Sequence, residues 1–362
     1  MIMGGSTKTD VAASEWTIDD DVMRLRQWGT DVIQLLPPPP TNEWTIGAAR
    51  TCAVQIDDPA GRVSRLHARL VRAQDGWLMH DLGSKNGVRI DGARRREIVL
   101  APGVEIGIGG VTLIAESSRS VALRGFLARM LGWRSDRTEV VDRALRSIRL
   151  AATRRTALVL SGDGDLVPVA RSIHRHVIGP DRPFVVCDPR RREVKATVRS
   201  AENYESGRDA LAAATGGSLC IRLERRPRDF EAVITSLRSP GARVQLIVCT
   251  RNSAGCEPYL APAIWIPPLN TRSDEIDRII IEYAEDALDE LGAARTSFLP
   301  GDRAWVRRYS AANLPEIEKG TLRLVALREA RNLGEAAARL RMAPISLSRW
   351  IGRRELPMHV KL

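Results

Sequence analysis

Gly47-Ala48-Ala49-Arg50-Thr51-Cys52-Ala53-Val54-Gln55-Ile56, then Val63-Ser64-Arg65-Leu66-His67-Ala68-Arg69-Leu70, then Asp81-Leu82-Gly83-Ser84-Lys85-Asn86-Gly87, is the part of the chain where polar residues stand at spacings that demand a specific partner. Val54, Ile56, His67 and Leu70 lie among residues that alternate as short strands do. Ser64, Arg65, Ser84, Lys85 and Asn86 fall in the loops between them. Two hydroxyls, two cations and an amide on loops of one β scaffold suit a phosphate together with a peptide backbone.

Ser-Arg-x-His at 64–67 followed by Gly-Ser-x-Asn-Gly at 83–87 resembles the forkhead-associated (FHA) domain, a phosphothreonine-binding β-sandwich, over residues 22–116. The resemblance implies that Ser64 and Arg65 meet the phosphate and Ser84 supports it. It gives Asn86 the bound peptide's main chain and His67 the part of an internal brace. Lys85 joins the same loop. The family usually has Gly-Arg where this chain has Gly47-Ala48, so the arginine that contacts the phosphopeptide is missing, and Arg50 is the candidate to replace it.

Outward from this stretch, residues 1–21 read as a flexible leader. Thr17 has Asp20 three residues on, the spacing FHA domains often read, so an internal ligand stands beside the plainer reading of incidental threonines. Residues 22–36 alternate as one first strand, Pro37 to Pro40 as a stiff turn, and Ile106 to Ala115 as the run that closes the sandwich. Residues 117–136 read as a linker with a short apolar helix (Phe126, Leu127, Met130), and Arg119, Arg124, Arg129 and Arg134 as its solvated basic side.

From 137 the pattern changes. Ala157–Leu160, Phe184–Cys187, Ser218–Ile221 and Val244–Cys249 read as buried parallel strands, with helices such as Val167–His176 and Phe230–Leu237 between them: an α/β domain over residues 137–320. The landmarks Val169-Ala-Arg-Ser-Ile-His174, Gly216-Gly-Ser-Leu219 and Ile264-Trp-Ile-Pro-Pro-Leu-Asn-Thr-Arg-Ser-Asp-Glu-Ile276 resemble the AAA+ domain of bacterial enhancer-binding proteins, which activate sigma-54 polymerase. The chemistry departs from that family. A phosphate loop needs glycine amides and a lysine. Here Leu166 stands at the lysine position, Asp165 at the last loop glycine, and Asp163 adds a second carboxylate. Arg222 and Leu223 stand where acids should handle magnesium and water. The sigma-54-contacting loop between Tyr204 and Gly216 and the arginine-finger segment between Asn252 and Ile264 are shortened, and Pro315 occupies the sensor arginine's place. The expectation is a degenerate nucleotide site without ATPase activity, no catalytic residue and no cofactor. His174 and His176, two apart on a helix, do not share a face as metal ligands, and no metal site is expected.

Residues 321–362 read as all-helical, with Leu322, Val325, Ala326 and Ala330 in one stripe. Asn332 suits a helix cap with Glu335 as its reciprocal partner, a break follows at Arg341–Ala343, and Pro344 suits a new first turn. Ala336, Ala337, Leu340, Leu347 and Ile351 fill the angle between the helices. This resembles the Fis-type helix-turn-helix that ends enhancer-binding proteins. Residues 323–362 carry nine Lys/Arg against three Glu. The resemblance implies that Arg349, Arg353 and Arg354 meet DNA phosphates and that Ser346 and Ser348 approach base edges. Arg341 replaces the usual turn glycine, and Ala343 and Pro344 replace polar residues. A bundle used for dimerisation is the alternative.

The whole chain has 362 residues and a net charge of +11, mostly arginine, which suits an anionic partner. Its five cysteines have no metal spacing, and most fall in strand-like apolar runs and read as buried thiols of a reducing cytoplasm. No apolar run is long enough to span a membrane, and the N-terminus has no signal-peptide pattern. The expected architecture is therefore multidomain: an N-terminal β-sandwich, a central α/β parallel-sheet domain and a C-terminal helix-turn-helix. The expected function is a cytoplasmic transcriptional regulator that docks on a threonine-phosphorylated protein and binds DNA, with homo-oligomers possible. The alternative is a phosphothreonine-dependent adaptor without DNA binding.

Overall fold

The computed structural model describes residues 21–37, 43–73, 76–154, 156–192, 201–239, 241–251, 263–352 and 354–357. The leader threonines, Pro38 to Pro40, the arginine-finger segment 252–262 and Arg353 lie outside the described residues. The chain divides into two compact units. The first holds the residues up to Arg124 with 148–154 and 176–178, and the second holds the remainder.

The first unit is two facing sheets. Its strands are β1 Val22–Gln27, β2 Ile33–Leu35, β3 Glu43–Gly47, β4 Val54–Gln55, β5 Ala68–Ala73, β6 Gly76–Asp81, β7 Val88–Ile90, β8 Ala93–Arg95, β9 Glu97–Val99, β10 Glu105–Ile108 and β11 Val111–Ser117. One sheet runs β2-β1-β11-β10-β7-β8, the other β4-β3-β5-β6-β9. Leu25, Ile106 and Leu113 from the first meet Ile46, Leu70 and Met79 from the second in one buried cluster, so alternation placed one face of each sheet in the core. A bidentate-type network also lies inside: Glu116 accepts from Arg26 at 2.8 Å and Arg24 at 2.7 Å.

The single strand expected over 22–36 is instead a hairpin. Gly29 takes a left-handed φ of +71°, Gln27 N–H donates to Val32 O at 2.9 Å, and Leu25 faces Gln34 across the turn. Ile33 and Leu35 on the return strand are exposed, so their alternation with polar residues does not mark a buried face.

Helix α1 Ser118–Leu131 follows, then α2 Thr138–Arg154. The arginines of α1 do not form one solvated face. A step of five residues turns a helix by about 140°, so such positions scatter around it. Arg129 is buried, pairs with Glu282 at 3.0 Å and with Asp286, and lies over the Tyr283 ring at 4.7 Å.

The second unit is built on a parallel sheet. Its elements in order are β12 Leu158–Gly162, α3 Val167–Val177, β13 Phe184–Cys187, β14 Glu202–Tyr204, α4 Gly207–Ala213, β15 Ser218–Arg222, α5 Phe230–Leu237, β16 Gln245–Thr250 and β17 Ile264–Ile266. The order is β14-β13-β15-β16-β12-β17, so the four expected strands are flanked by one short strand on each side. The central strands are buried along their length, which explains their near-continuous apolar runs. Cys52, Cys187, Cys220 and Cys249 are free and buried. Burial pushes the Cys187 thiol up to about 12.

Five helices end the unit: α6 Ile276–Leu291, α7 Pro300–Tyr309, α8 Leu314–Glu329, α9 Leu333–Arg339 and α10 Pro344–Ile351. Asn332 caps α9, accepting from Glu335 N–H at 2.9 Å. Glu335 does not reciprocate onto the cap residue; its carboxylate accepts from Arg331 N–H, one residue earlier. Arg341 stands in the turn with φ +47°, so the backbone keeps the left-handed shape that glycine favours. Ala336, Ala337, Leu340 and Leu347 are buried between α9 and α10 as expected. Ile351 is only half-buried, whereas its neighbour Trp350 is buried and packs on Trp305 of α7 at 5.5 Å. Among the described residues no helix is long and apolar enough to cross a membrane.

Candidate functional site

Loops at one end of the first unit converge through backbone contacts. Ala48 N–H donates to Ser64 O at 3.0 Å, and Ala49 N–H to Arg65 O at 3.1 Å. This approach works only because position 47 is glycine: a Cβ there would overlap the Arg65 carbonyl and lie 2.9 Å from Ser64 O. Asp58 closes the preceding loop, accepting from the amides of Arg62 and Val63 at 2.7 and 2.9 Å. His67 is fully buried beneath. Its Nδ1 accepts from Ser64 N–H at 3.0 Å, and Nε2–H lies 3.3 Å from Gly87 O, which fixes the tautomer because a carbonyl only accepts. One imidazole thus joins the two loops that carry the candidate residues.

Above it, Ser64 Oγ accepts from Lys85 N–H at 3.1 Å. Ser84 Oγ donates to Asp81 at 2.5 Å and accepts from Gly87 N–H at 2.9 Å, so it shapes its own turn. Asn86 donates to Arg62 O at 2.7 Å. Arg65 and Lys85 are exposed, and no carboxylate among the described residues pairs with either. Ala48 packs against the core, so no cation stands there. Arg50 is exposed in the turn after Ala49. Sequence reasoning did not find Arg94, whose guanidinium donates to Lys85 O at 3.2 Å and whose stem covers Gly87. Its signal was the Asp91-Gly92 turn, which folds β8 back along β7 toward this loop.

Residues 44–109 match the family model of the FHA domain. The chain contains an FHA domain. Solved structures similar to it include one described as an analysis of phosphothreonine-dependent FHA domain interactions. It is 26% identical, with TM-score 0.23, covering 26% of this chain and 93% of that one. Mycobacterium tuberculosis EmbR in complex with a low affinity phosphopeptide is 25% identical, with TM-score 0.24, covering 26% of this chain and 24% of EmbR. The Slr1951 protein from Synechocystis sp. is 28% identical, with TM-score 0.22, covering 26% and 93%. Curated proteins give no match. The FHA match stops short of the second unit, whose two candidate sites rest on geometry alone.

The first is the crevice at the carboxyl ends of β12, β13 and β15, the edge where open α/β sheets place ligands. Here it is filled from within. Arg222 makes a fork with Asp165, two contacts at 2.8 Å, and reaches Asp188 at 3.1 Å. Arg225 adds a second contact to Asp188, which is fully buried. Asp165 also accepts from Val167 N–H at 3.2 Å at the start of α3, where a phosphate would otherwise find a donor. Leu166 is buried, and Leu223 packs against the sheet's core. Asp163 is exposed, and Asp165 is neutralised by Arg222.

The second is α10. Ser346, Ser348 and Arg349 are exposed on it. Arg354 is not free: it donates to Trp350 O at 3.0 Å and lies 5.0 Å from that ring, while Arg323 lies at 4.9 Å. Trp305 Nε1–H donates to Glu355 O, which ties the segment after α10 to α7.

Proposed function

We propose that the chain is a phosphothreonine-dependent regulator whose FHA domain docks on a threonine-phosphorylated protein. The observation that carries this is the pair of exposed cations, Arg65 and Lys85, without carboxylate partners among the described residues, on two loops that meet where Lys85 N–H donates to Ser64 Oγ. A phosphate brings nearly two charges and three acceptor oxygens to such a place. A phosphothreonine peptide is expected to bind at least about tenfold tighter than its unphosphorylated twin, since each charge-assisted hydrogen bond contributes about 1.5–3 kcal/mol. Arg65→Ala should remove most of that preference. Calorimetry with both peptides checks it, and equal affinity in a folded protein would reduce the domain to a scaffold.

The central sheet belongs to this proposal as a degenerate AAA+-like body without ATPase activity. Support comes from Arg222 and Asp165, which already satisfy each other where triphosphate and magnesium would sit. ATP turnover is expected to stay at the level of a protein-free blank, and Mg²⁺-dependent phosphate release above it would sink this part.

The C-terminal helices are proposed as a Fis-type helix-turn-helix that reaches DNA and regulates transcription. Exposed Arg349 beside Ser346 and Ser348 supports this. Duplex affinity should fall with salt by roughly one unit of log-log slope per phosphate contact. Arg349→Ala should flatten that slope and weaken all sequences alike. A second reading, an adaptor without DNA binding, is favoured by two features: Arg354 is held on Trp350, and α10 opens on exposed Pro344 and Ile345 rather than on polar groups. Absence of duplex binding at low salt would select it.

A further inference from the structure

We infer that the second unit holds a binding site for a small polyphosphorylated ligand, on the opposite edge of the parallel sheet from the filled crevice. The crevice residues Asp165, Asp188 and Arg222 stand at the carboxyl ends of their strands. The site in question is a cavity of about 400 Å³ beside Phe184, the first residue of β13. Its walls are Arg171 and Arg175 from α3, Arg182 before β13, and Arg339 and Arg341 from the α9–α10 turn, against one carboxylate, Glu290.

Five guanidiniums around one concave space repel one another, and a bound anion relieves that repulsion. Arg339 shares its charge with Glu335 at 3.4 Å. Arg175, Arg182 and Arg341 have no carboxylate partner among the described residues. Arg175, Arg182 and Arg341 bring three positive charges without a carboxylate partner, more than the nearly two negative charges of one phosphate, so the ligand carries more than one phosphate. The volume falls in the range of about 300–1,000 Å³ typical of small-molecule pockets.

The backbone that carries two of the walls is fixed in advance. His174 is buried, donates from Nε2–H to Arg182 O at 3.1 Å and accepts at Nδ1 from Ser218 Oγ at 2.9 Å, so it holds the Arg182 backbone. Burial, with Arg171 and Arg175 nearby, pulls its pKa down to about 4 and keeps the imidazole neutral in that role. Arg341 is held by its own N–H to Ala338 O at 2.9 Å. Because Arg339 ends α9 and Arg341 stands in the turn before α10, an occupant also restrains that turn.

Calorimetric titration of the full chain with inorganic tripolyphosphate, without magnesium, tests this. One-to-one saturable binding is expected. Arg175→Ala combined with Arg182→Ala should weaken it by at least about tenfold, whereas exposed Arg208→Ala on α4 should leave it unchanged. Arg341→Gly provides a second reading, since φ +47° suits glycine: its thermal midpoint should rise while affinity falls several-fold. No saturable binding, binding that survives the double substitution, or equal competition by sulfate at matched ionic strength would each overturn the assignment.

Discussion

Asp302→Ala is expected to remove about 3–5 kcal/mol from the stability of the second unit, read as a lower urea midpoint with an unchanged slope. Asp302 is fully buried and holds Arg328 through two contacts at 2.7 Å. Its Oδ2 also accepts from Leu299 N–H at 2.8 Å, so one carboxylate closes the start of α7 and neutralises a cation on α8. Alanine leaves the Arg328 guanidinium desolvated and unpaired, which costs far more than the net value of the pair, because the charge has nowhere to go. Asp302→Asn keeps the shape and one acceptor and should lose less. The loss should extend to α10, since Trp305 of α7 packs on Trp350. A midpoint change below about 1 kcal/mol in Asp302→Ala would mean that Arg328 finds water.

The sandwich and the parallel sheet were legible because burial writes itself into local pattern. Val185–Cys187 and Leu246–Cys249 are apolar runs buried along their length, and they lie within strands of the structure. The failures share one cause: the deciding partner is far away in sequence. Arg129 read as a surface cation because nothing within a helical turn of it is acidic, yet Glu282 and Asp286 lie over 150 positions later. Asp165 read as a misplaced charge because its partner, Arg222, is 57 residues on. Leu35 misled in the other direction, as an apolar residue on an outer strand that is 63% exposed.

At the FHA site the residue types were legible and their employment was not. Ser64, Arg65, Ser84 and Asn86 came from their spacing and the family they resemble. That Ser84 turns inward to Asp81 and that Arg94 supports the Lys85 loop is decided only in the folded chain. Position 47 shows the limit most clearly. A glycine beside a strand end permits many readings, and only the distance to the facing backbone says which applies.

Gly47→Ala is therefore the sharpest test of how this site is built. Its φ is not left-handed, so the substitution introduces no backbone strain of its own. What it adds is one methyl group where the Arg65 carbonyl already stands, with Ser64 O 2.9 Å away. Neither neighbour is a flexible side-chain tip; both are backbone, held by the amides of Ala48 and Ala49. The loops must separate, which breaks those two hydrogen bonds and draws Ser64 N–H away from His67. Overpacking of this kind costs about 1–3 kcal/mol, and the upper end applies because no rotamer change relieves it. Phosphothreonine-peptide affinity should fall by more than about tenfold, since Ser64, with Arg65 beside it, moves away from the Lys85 N–H that its hydroxyl meets. Gly61→Ala is the control: φ is +62° but a Cβ there meets nothing within 4 Å, so it should cost only about 1 kcal/mol of strain and leave the peptide bound. If Gly47→Ala retains both stability and phosphopeptide affinity, as the Gly61→Ala control is expected to retain affinity, the close approach of the Ser64–Arg65 backbone is not what sets the site.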